Sequence, residues 1–272
     1  MPASIDEIVA ATRRRVAESK PVADLRQFER QAGNHVPRGF RHSLESASAT
    51  GIAVIAELKR ASPSRGLIRP DFDPVRLAEE FESSAATALS VLTDAEFFQG
   101  SLENLRRASA ATKLPCLRKD FIVDEFQLLE ARANGGDAIL LIVAALSHVE
   151  LDKLVRCASE YSLDVLCEVH DHEELQRAVD AGCNLIGVNN RDLRTFRVDL
   201  ETSFRLADLI PESALPVAES GIQSGADIAR LRAVGYQAFL IGESLMKAKS
   251  SGDALKALLV EAQRESDALA RK

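Results

Sequence analysis

The sequence predicts an α/β protein, namely a (β/α)8 TIM barrel with extra N-terminal helices. From residue 52 onward, short apolar runs alternate with helical segments, and this pattern occurs eight times. The apolar runs are continuous, which is typical of strands that are buried on both faces of a parallel sheet. The length of 272 residues also matches a barrel that forms one domain.

The eight predicted strands are separated by polar turns. They lie at residues 52–56, 88–92, 114–117, 138–143, 165–167, 185–188, 215–218 and 238–241. An open doubly wound sheet is the alternative, but that fold normally has fewer strands and a glycine-rich dinucleotide-binding turn after the first one. No GxGxxG pattern occurs at residues 55–59, so we favour the barrel.

Several turns between the strands carry signals for the start or the end of a helix. Asp73 followed by Pro74 predicts a helix N-terminus, and Ser147 with Glu150 forms a capping-box pattern. Asn134 is followed by two glycines, which predicts the end of a helix. These boundaries fall where the alternating pattern requires them.

Residues 1–50 lie outside the repeat and predict a helical extension. Residues 51–268 then form the barrel, within a single domain of residues 1–272. Apolar positions with helical spacing at 5–9 and 22–28 predict one or two helices, and residues 33–41, with Pro37 and Gly39, predict a connection. We expect the extension to cover one end of the barrel.

The composition excludes several classes of partner. The chain is 46% hydrophobic and 28% charged, with a net charge of −7 and no basic tract dense enough to bind nucleic acid. The arginines at 13–15 lie among acidic residues on a helical pattern, so we expect a solvated helix face. No run of about 18 apolar residues predicts a membrane span, and the N-terminus lacks the apolar core of a signal peptide.

The four cysteines are scattered along the chain and form no CxxC motif. They are Cys116, Cys157, Cys167 and Cys183. This usage predicts reduced core thiols in a cytoplasmic protein rather than a disulfide framework.

A zinc site is chemically possible in one short segment. Cys167, Glu168, His170 and His172 are all residue types that bind zinc. In a strand, however, Cys167 faces away from Glu168 and His170, and Asp171 resembles the N-cap of the next helix. We therefore predict no metal.

Charged side chains gather where the predicted strands end, which is where the active site of a barrel lies. Side chains alternate faces along a strand, so Glu57 and Lys59 after the first strand point the same way. A surface ion pair is the alternative for these two residues alone, but Lys119, Glu168 and Glu219 stand at further strand ends. Two lysines and two or three carboxylates at one mouth suit general acid–base catalysis.

The loops after the last two strands carry small residues. Ser220 and Gly221 follow the seventh strand, and Gly242 and Glu243 follow the eighth. Small residues let backbone N–H groups approach an anion, and these two loops form the usual phosphate site of a barrel. The side chains expected to reach the same phosphate from the neighbouring first strand are Lys59 and Ser62.

Two phenylalanines lie beside the predicted mouth. Phe98 follows the second strand, and Phe121 follows the third. Two roles are consistent with this position, namely packing in the core and forming a hydrophobic wall for an aromatic ligand.

The strand-end motifs resemble those of the indole-3-glycerol phosphate synthase family. The resemblance covers about residues 51–248. It is carried by IAELKRASPS (55–64), SVLT (90–93), RKDFI (118–122), LLI (140–142), GVNNRDL (187–193), AESGI (218–222) and FLIGESLM (239–246). The helices before the barrel also resemble an extension of that family.

The resemblance implies a lyase of tryptophan biosynthesis with no cofactor. Its substrate is 1-(o-carboxyphenylamino)-1-deoxyribulose 5-phosphate, which loses CO2 and water to give indole-3-glycerol phosphate. The implied partner is this phosphorylated small molecule, with no nucleic acid and no membrane, in a cytoplasmic monomer or weak homodimer. The alternatives are another phosphate-binding barrel, such as a phosphoribosylanthranilate isomerase, and a catalytically silent binding module.

The resemblance also implies roles for individual residues. Lys119 is the general acid of ring closure, with Glu57, Lys59 and Glu168 in the later proton transfers. The residues implied in substrate binding are Asn189, Glu219, Arg191, Phe98 and Phe121. Those implied in phosphate binding are Lys59, Ser62, Ser220, Gly221, Gly242 and Glu243. Because some relatives have serine at 243, we expect Glu243 to use only its backbone, with the carboxylate turned away.

Overall fold

The computed structural model describes residues 3–271, and its centre is a closed barrel of eight parallel strands. The last strand pairs with the first, so the predicted fold class is confirmed. The strands are β1 (Ala53–Leu58), β2 (Ala88–Leu92), β3 (Cys116–Lys119), β4 (Ala138–Ile142), β5 (Asp164–Val169), β6 (Leu185–Asn189), β7 (Leu215–Glu219) and β8 (Ala238–Ile241). A short antiparallel hairpin, Ala61–Ser62 with Gly66–Leu67, lies in the loop after β1.

Helices precede the barrel, connect its strands and surround it. They are α1 (Ile5–Ser19), α2 (Leu25–Asn34), α3 (Phe40–Thr50), α4 (Pro74–Ser83), α5 (Ala95–Phe98), α6 (Leu102–Ala110), α7 (Phe126–Ala133), α8 (His148–Glu160), α9 (His172–Asp180), α10 (Glu201–Leu206), α11 (Gly225–Ala233), α12 (Glu243–Lys247) and α13 (Ser251–Ala270). Short 3-10 helices lie at Lys20–Val22, Val143–Ala145 and Ala207–Leu209. Within residues 3–271, no helix has both the length and the apolar character that a membrane crossing requires.

The helix boundaries follow the capping signals in the sequence. The side chains of Asp73, Ser147 and Asp171 each accept a hydrogen bond from a backbone N–H in the first turn of α4, α8 and α9. Asn134 is the C-cap of α7. Because these bonds satisfy backbone groups that a helix end leaves free, they fix where each helix meets its strand.

Alternate residues of each strand point into the barrel. In β1, Ala53 and Ile55 belong to the interior cluster, whereas the residues between them pack against the outer helices. Glu57 continues the inward set. The equivalent inward positions at the C-terminal strand ends are Lys119, Glu168, Asn189 and Glu219. Because of this alternation, the charged residues at the strand ends all point into the same end of the barrel.

The extension contains three α-helices rather than one or two, and it covers both ends of the barrel rather than one. α3 begins within the segment predicted to be a connection, because Gly39 adopts a left-handed φ of +69° just before it. Phe40 and Leu44 of α3 are fully buried in the cluster that fills the N-terminal strand ends. α1 lies at the opposite end, where Ile5 and Ile8 line the mouth.

One pair of cysteines contradicts the expectation of reduced thiols. Cys167 and Cys183 form a disulfide with their Cα atoms 6.4 Å apart, whereas Cys116 and Cys157 are free. Cys167 faces the helix layer from β5, and Cys183 lies just before β6, the next strand of the sheet. The barrel therefore brings together two residues whose spacing along the sequence gives no sign of pairing.

Candidate active site

A cavity of about 570 Å³ opens at the C-terminal ends of the strands. Every residue that the sequence placed in the site lines this cavity. These residues are Glu57, Lys59, Ser62, Phe98, Lys119, Phe121, Glu168, Asn189, Arg191, Glu219, Ser220, Gly221, Gly242 and Glu243. The barrel thus brings together side chains from five strand ends and residues of the loops beside them.

Lys119 lines the cavity and lies between two buried carboxylates. Its Nζ donates a 2.8 Å hydrogen bond to Oε2 of Glu168 and is 3.5 Å from Oε2 of Glu219. Burial lowers the pKa of an ammonium group, but the surrounding carboxylates outweigh burial and raise the pKa of Lys119. Burial likewise raises the pKa of Glu168, but Lys119 and His170 hold it below its usual range. Both groups are therefore charged at neutral pH.

Glu219 is a carboxylate that can exchange a proton near neutral pH. Burial raises its pKa to about 7, with the charge of Glu168 acting in the same direction and that of Lys119 against it. A Cβ atom at Gly187 would overlap Oε1 of Glu219, so this glycine leaves the space that the carboxylate occupies. Oε1 accepts no hydrogen bond within residues 3–271. Glu219 is thus poised to differ in protonation from Glu168.

Replacing Glu219 by glutamine is expected to alter how stability depends on pH. The pKa of Glu219 is higher in the folded state than in the unfolded state, so the protonated carboxyl group stabilises the parent at low pH. The parent loses this stabilisation as the pH rises through about 7. Glutamine has no such proton. The free energy of unfolding of Glu219→Gln, relative to the parent, should therefore increase between pH 5 and pH 8, as measured by guanidinium unfolding.

The matched control is Glu212→Gln, which changes an exposed residue just before the same strand. Its stability relative to the parent should not change between the two pH values. A Glu219→Gln difference that is equally independent of pH would contradict the raised pKa.

Glu57 and Lys59 form an ion pair inside the mouth. Nζ of Lys59 donates a hydrogen bond to Oε1 of Glu57, which is only 4% exposed. A Cβ atom at Gly242 would overlap the Glu57 carboxylate, so the loop after β8 passes directly against the end of β1. The pair is therefore an interior feature and not the surface ion pair that the two residues alone would allow.

The loop after β7 contains a strained turn at the predicted phosphate site. Ser220 and Gly221 both have left-handed backbone conformations, with φ of +63° and +82°. This conformation costs an L-residue such as serine on the order of 1–2 kcal/mol, while glycine adopts it freely. A Cβ atom at Gly221 would also overlap Val198. Backbone strain of this kind is concentrated at functional sites.

The Glu243 carboxylate is surrounded by three basic side chains. It accepts a 2.6 Å hydrogen bond from Nζ of Lys247 and pairs with Nε of Arg65 at 3.1 Å and a terminal nitrogen of Arg191 at 3.4 Å. Burial raises its pKa, but these cations outweigh burial, and the net shift in the pKa of Glu243 is downward. Its negative charge is thus compensated, and it joins the loops after β1, β6 and β8.

Asn189 links the acid–base centre to the loop after β6. Its Nδ2 donates a 3.0 Å hydrogen bond to Oε1 of Glu168, and its Oδ1 accepts a 3.0 Å bond from the backbone N–H of Arg191. These two bonds fix the orientation of the amide. Asn189 therefore connects the Glu168 carboxylate to an arginine that pairs with Glu243.

One side of the cavity is apolar. The rings of Phe98 and Phe121 lie with centroids 6.5 Å apart, and Leu140 and Ile142 of β4 and Ile8 of α1 line the same cavity. Phe121 is buried, whereas Phe98 is partly exposed. An apolar wall beside convergent charges is typical of a small-molecule site.

Arg15 contacts two residues that line the mouth, although the sequence analysis placed it on a solvated helix face. It donates hydrogen bonds to Oδ2 of Asp94 at 2.9 Å and to Oδ1 of Asp120 at 3.4 Å. Both carboxylates are buried, so these bonds anchor α1 over the cavity. The expectation is therefore wrong for Arg15. The sequence did hold a signal, since Asp94 and Asp120 both follow strand ends.

His170 is the second residue that the sequence analysis did not place in the site. Its Nδ1 is 2.9 Å from Oε2 of Glu174, and its Nε2 is 3.5 Å from Oε1 of Glu168. Burial lowers its pKa, but the two carboxylates outweigh burial and raise the pKa of His170 to about 10. Across residues 3–271, no three or more His, Cys, Asp or Glu side chains are grouped so as to hold a metal ion.

The fold and this cavity define an α/β-barrel enzyme whose lysines and carboxylates meet at one mouth. The model of the indole-3-glycerol phosphate synthase family matches residues 5–258. The synthase of Koribacter versatilis is 58% identical over 259 residues, covering 95% of this chain and 100% of that protein. The synthase of Desulfotalea psychrophila is 51% identical over 222 residues, covering 82% and 85%. The chain belongs to the indole-3-glycerol phosphate synthase family, decarboxylating lyases of tryptophan biosynthesis.

Solved structures of other proteins share the barrel at low identity. A mandelate oxidase has a TM-score of 0.60 and 20% identity, covering 81% of this chain and 74% of that one. Thiamine phosphate pyrophosphorylase from Pyrococcus furiosus has a TM-score of 0.59 and 16% identity, covering 79% and 96%. At such identities the similarity concerns the fold alone.

Proposed function

We propose that this chain converts 1-(o-carboxyphenylamino)-1-deoxyribulose 5-phosphate to indole-3-glycerol phosphate, with Lys119 as the acid of the ring-closing step. The observation that supports this most directly is that Lys119 lines the cavity, charged, between Glu168 and Glu219. An ammonium group in this place can donate a proton to a ketone oxygen, and the adjacent carboxylate can accept one.

Ring closure forms one carbon–carbon bond. The aromatic carbon that bears the carboxylate attacks the ketone carbon, and Lys119 gives its proton to the ketone oxygen, which becomes a hydroxyl. The same aromatic carbon then loses CO2, and the electrons of that bond restore the aromatic ring. The charges around Lys119 are already in place before the reaction. They therefore favour ring closure without having to reorganise as charge develops.

Dehydration completes the indole. The new hydroxyl leaves with a proton as water, while the neighbouring carbon gives up a proton to a base. Glu57, Lys59 and Glu168 serve these transfers, and the burial of the two carboxylates strengthens their interactions. Asn189 and Glu219 orient the substrate and the catalytic groups.

Substrate binding uses the two sides of the cavity. The phosphate is bound at the loops after β7 and β8 through Ser220, Gly221, Gly242 and the backbone of Glu243. Its further contacts are Lys59 and Ser62, while Arg191 contributes to binding the rest of the substrate. The Glu243 carboxylate is held by three cations, which supports a contact through the backbone only. The aromatic ring lies against Phe98 and Phe121.

The experiment supplies the purified chain with two substrates in parallel. With the carboxyphenylamino-deoxyribulose phosphate, the appearance of indole fluorescence is expected. With phosphoribosylanthranilate, chromatography should show no turnover. Turnover of the second substrate alone would make the chain an isomerase, and folded protein that turns over neither substrate would be a binding module.

We also propose a cytoplasmic location and a monomer or weak homodimer. The free thiols of Cys116 and Cys157 support a reducing compartment, although the Cys167–Cys183 disulfide opposes it. Light scattering of the purified chain tests the oligomeric state.

A further inference from the structure

We propose that His170 is a positioning residue that holds the Glu168 carboxylate in place for Lys119, and that Glu174 in turn holds His170. The inference deepens the proposed function, because it concerns a residue that acts through a member of the catalytic centre. Glu168 contacts both residues, Lys119 through Oε2 and His170 through Oε1.

The two oxygens of Glu168 have different partners. Oε2 accepts the hydrogen bond from Lys119, while Oε1 accepts a 3.0 Å bond from Asn189 and lies 3.5 Å from Nε2 of His170. The last distance is that of an ion pair rather than of a full hydrogen bond. Asn189 and His170 together therefore restrain Oε1, and this restraint turns Oε2 toward Lys119.

His170 is itself fixed by the start of α9. Both its Nδ1 and its backbone N–H contact Oε2 of Glu174, at 2.9 and 2.8 Å. The backbone N–H of Glu174 donates a 2.9 Å bond to the N-cap residue Asp171. The histidine ring is thus placed by the junction between β5 and α9, and its side chain is only 13% exposed. The cap of α9 therefore also fixes the position of the His170 ring next to Glu168.

The charges around this pair predict the consequence of losing the ring. His170, just after β5, faces Glu168 at the end of that strand and Glu174 on α9. Glu168 in turn faces Lys119 from β3, and Lys119 is also close to Glu219 from β7. An imidazolium with a carboxylate at each ring nitrogen favours the ionised form of Glu168. Removing the imidazolium raises the proton affinity of Glu168, so the acidic limb of the kcat profile moves to higher pH.

The test compares His170→Gln with His172→Gln, which changes an exposed histidine two residues away. His170→Gln is expected to lower kcat by about tenfold or more, because the carboxylate is less well oriented. KM should change by less than about twofold, and the acidic limb of kcat should move to higher pH. Glu174→Gln should lower kcat and move the acidic limb in the same directions, but by less. His172→Gln should leave kcat and the acidic limb unchanged.

Two results would overturn the positioning role. In the first, His170→Gln has the same kcat as the parent, and the acidic limb of its pH profile does not move. The other is a lower kcat with an unmoved limb, because that would reduce His170 to a structural residue. An NMR titration of 13C-labelled glutamate carboxyls, assigned with Glu168→Gln, makes the same comparison without turnover, and it should give a higher pKa for Glu168 in His170→Gln. Failure of the proposed function would instead remove turnover from the parent and from His172→Gln.

Discussion

Replacing Lys119 by methionine is expected to lower kcat by at least about 100-fold, which is the scale of a general acid's contribution. Methionine fills a similar volume but offers no proton to the ketone oxygen. It also leaves Glu168 and Glu219 facing one another without the cation between them. The rate of indole formation at saturating substrate measures the loss directly.

Lys113→Met is the matched control, since Lys113 is exposed in the turn before β3, the strand that ends at Lys119. It should retain the parental kcat. Circular dichroism and the unfolding midpoint should show that both variants fold. Turnover of Lys119→Met within a few fold of the parent would remove Lys119 from the mechanism.

Replacing Glu57 by glutamine is also expected to lower kcat by about 100-fold or more. The change keeps the shape of the side chain against Gly242 but removes the carboxylate that receives the hydrogen bond from Lys59. With no carboxylate here, the later proton transfers lose a base. Steady-state kinetics at several pH values measures the loss.

A double-mutant cycle with Lys59→Met tests whether the two residues act as a unit. Because they share one ion pair, the double variant should lose little more than the more damaging single variant. Losses that multiply would show that Glu57 and Lys59 act independently. In that case Lys59 would serve the phosphate rather than the proton transfers.

The barrel and most of its mouth follow from local features of the sequence. Continuous apolar runs mark strands that are buried on both faces, and a parallel barrel has one face at which all the strands end. The period of two along β1 places Glu57 inward once Ala53 and Ile55 are inside. For that reason the residues chosen from strand ends all line the cavity.

The features that the sequence did not predict depend on packing between distant segments. Arg15 meets Asp94 only because α1 crosses the mouth, and no local pattern records that crossing. α3 was missed because Gly39 marks a turn as readily as the start of a helix. The Cys167–Cys183 disulfide depends on the order of strands in the closed sheet.

His170 illustrates an intermediate case. Its position two residues after Glu168 predicts the same side of the chain by strand alternation, although β5 itself ends at Val169. The contact between Glu174, in the first turn of α9, and the His170 ring depends on side-chain geometry that the sequence does not reveal. This is the segment first considered for metal binding, and we propose instead that it supports a carboxylate.

The most direct test of the central claim is the stoichiometry of the reaction. With substrate labelled by 13C in the aromatic carboxyl group, the purified chain should release one labelled CO2 for each indole formed, at equal initial rates. This result would place ring closure and decarboxylation in one catalytic cycle. Release of CO2 without indole, or no reaction of the folded protein, would contradict the account.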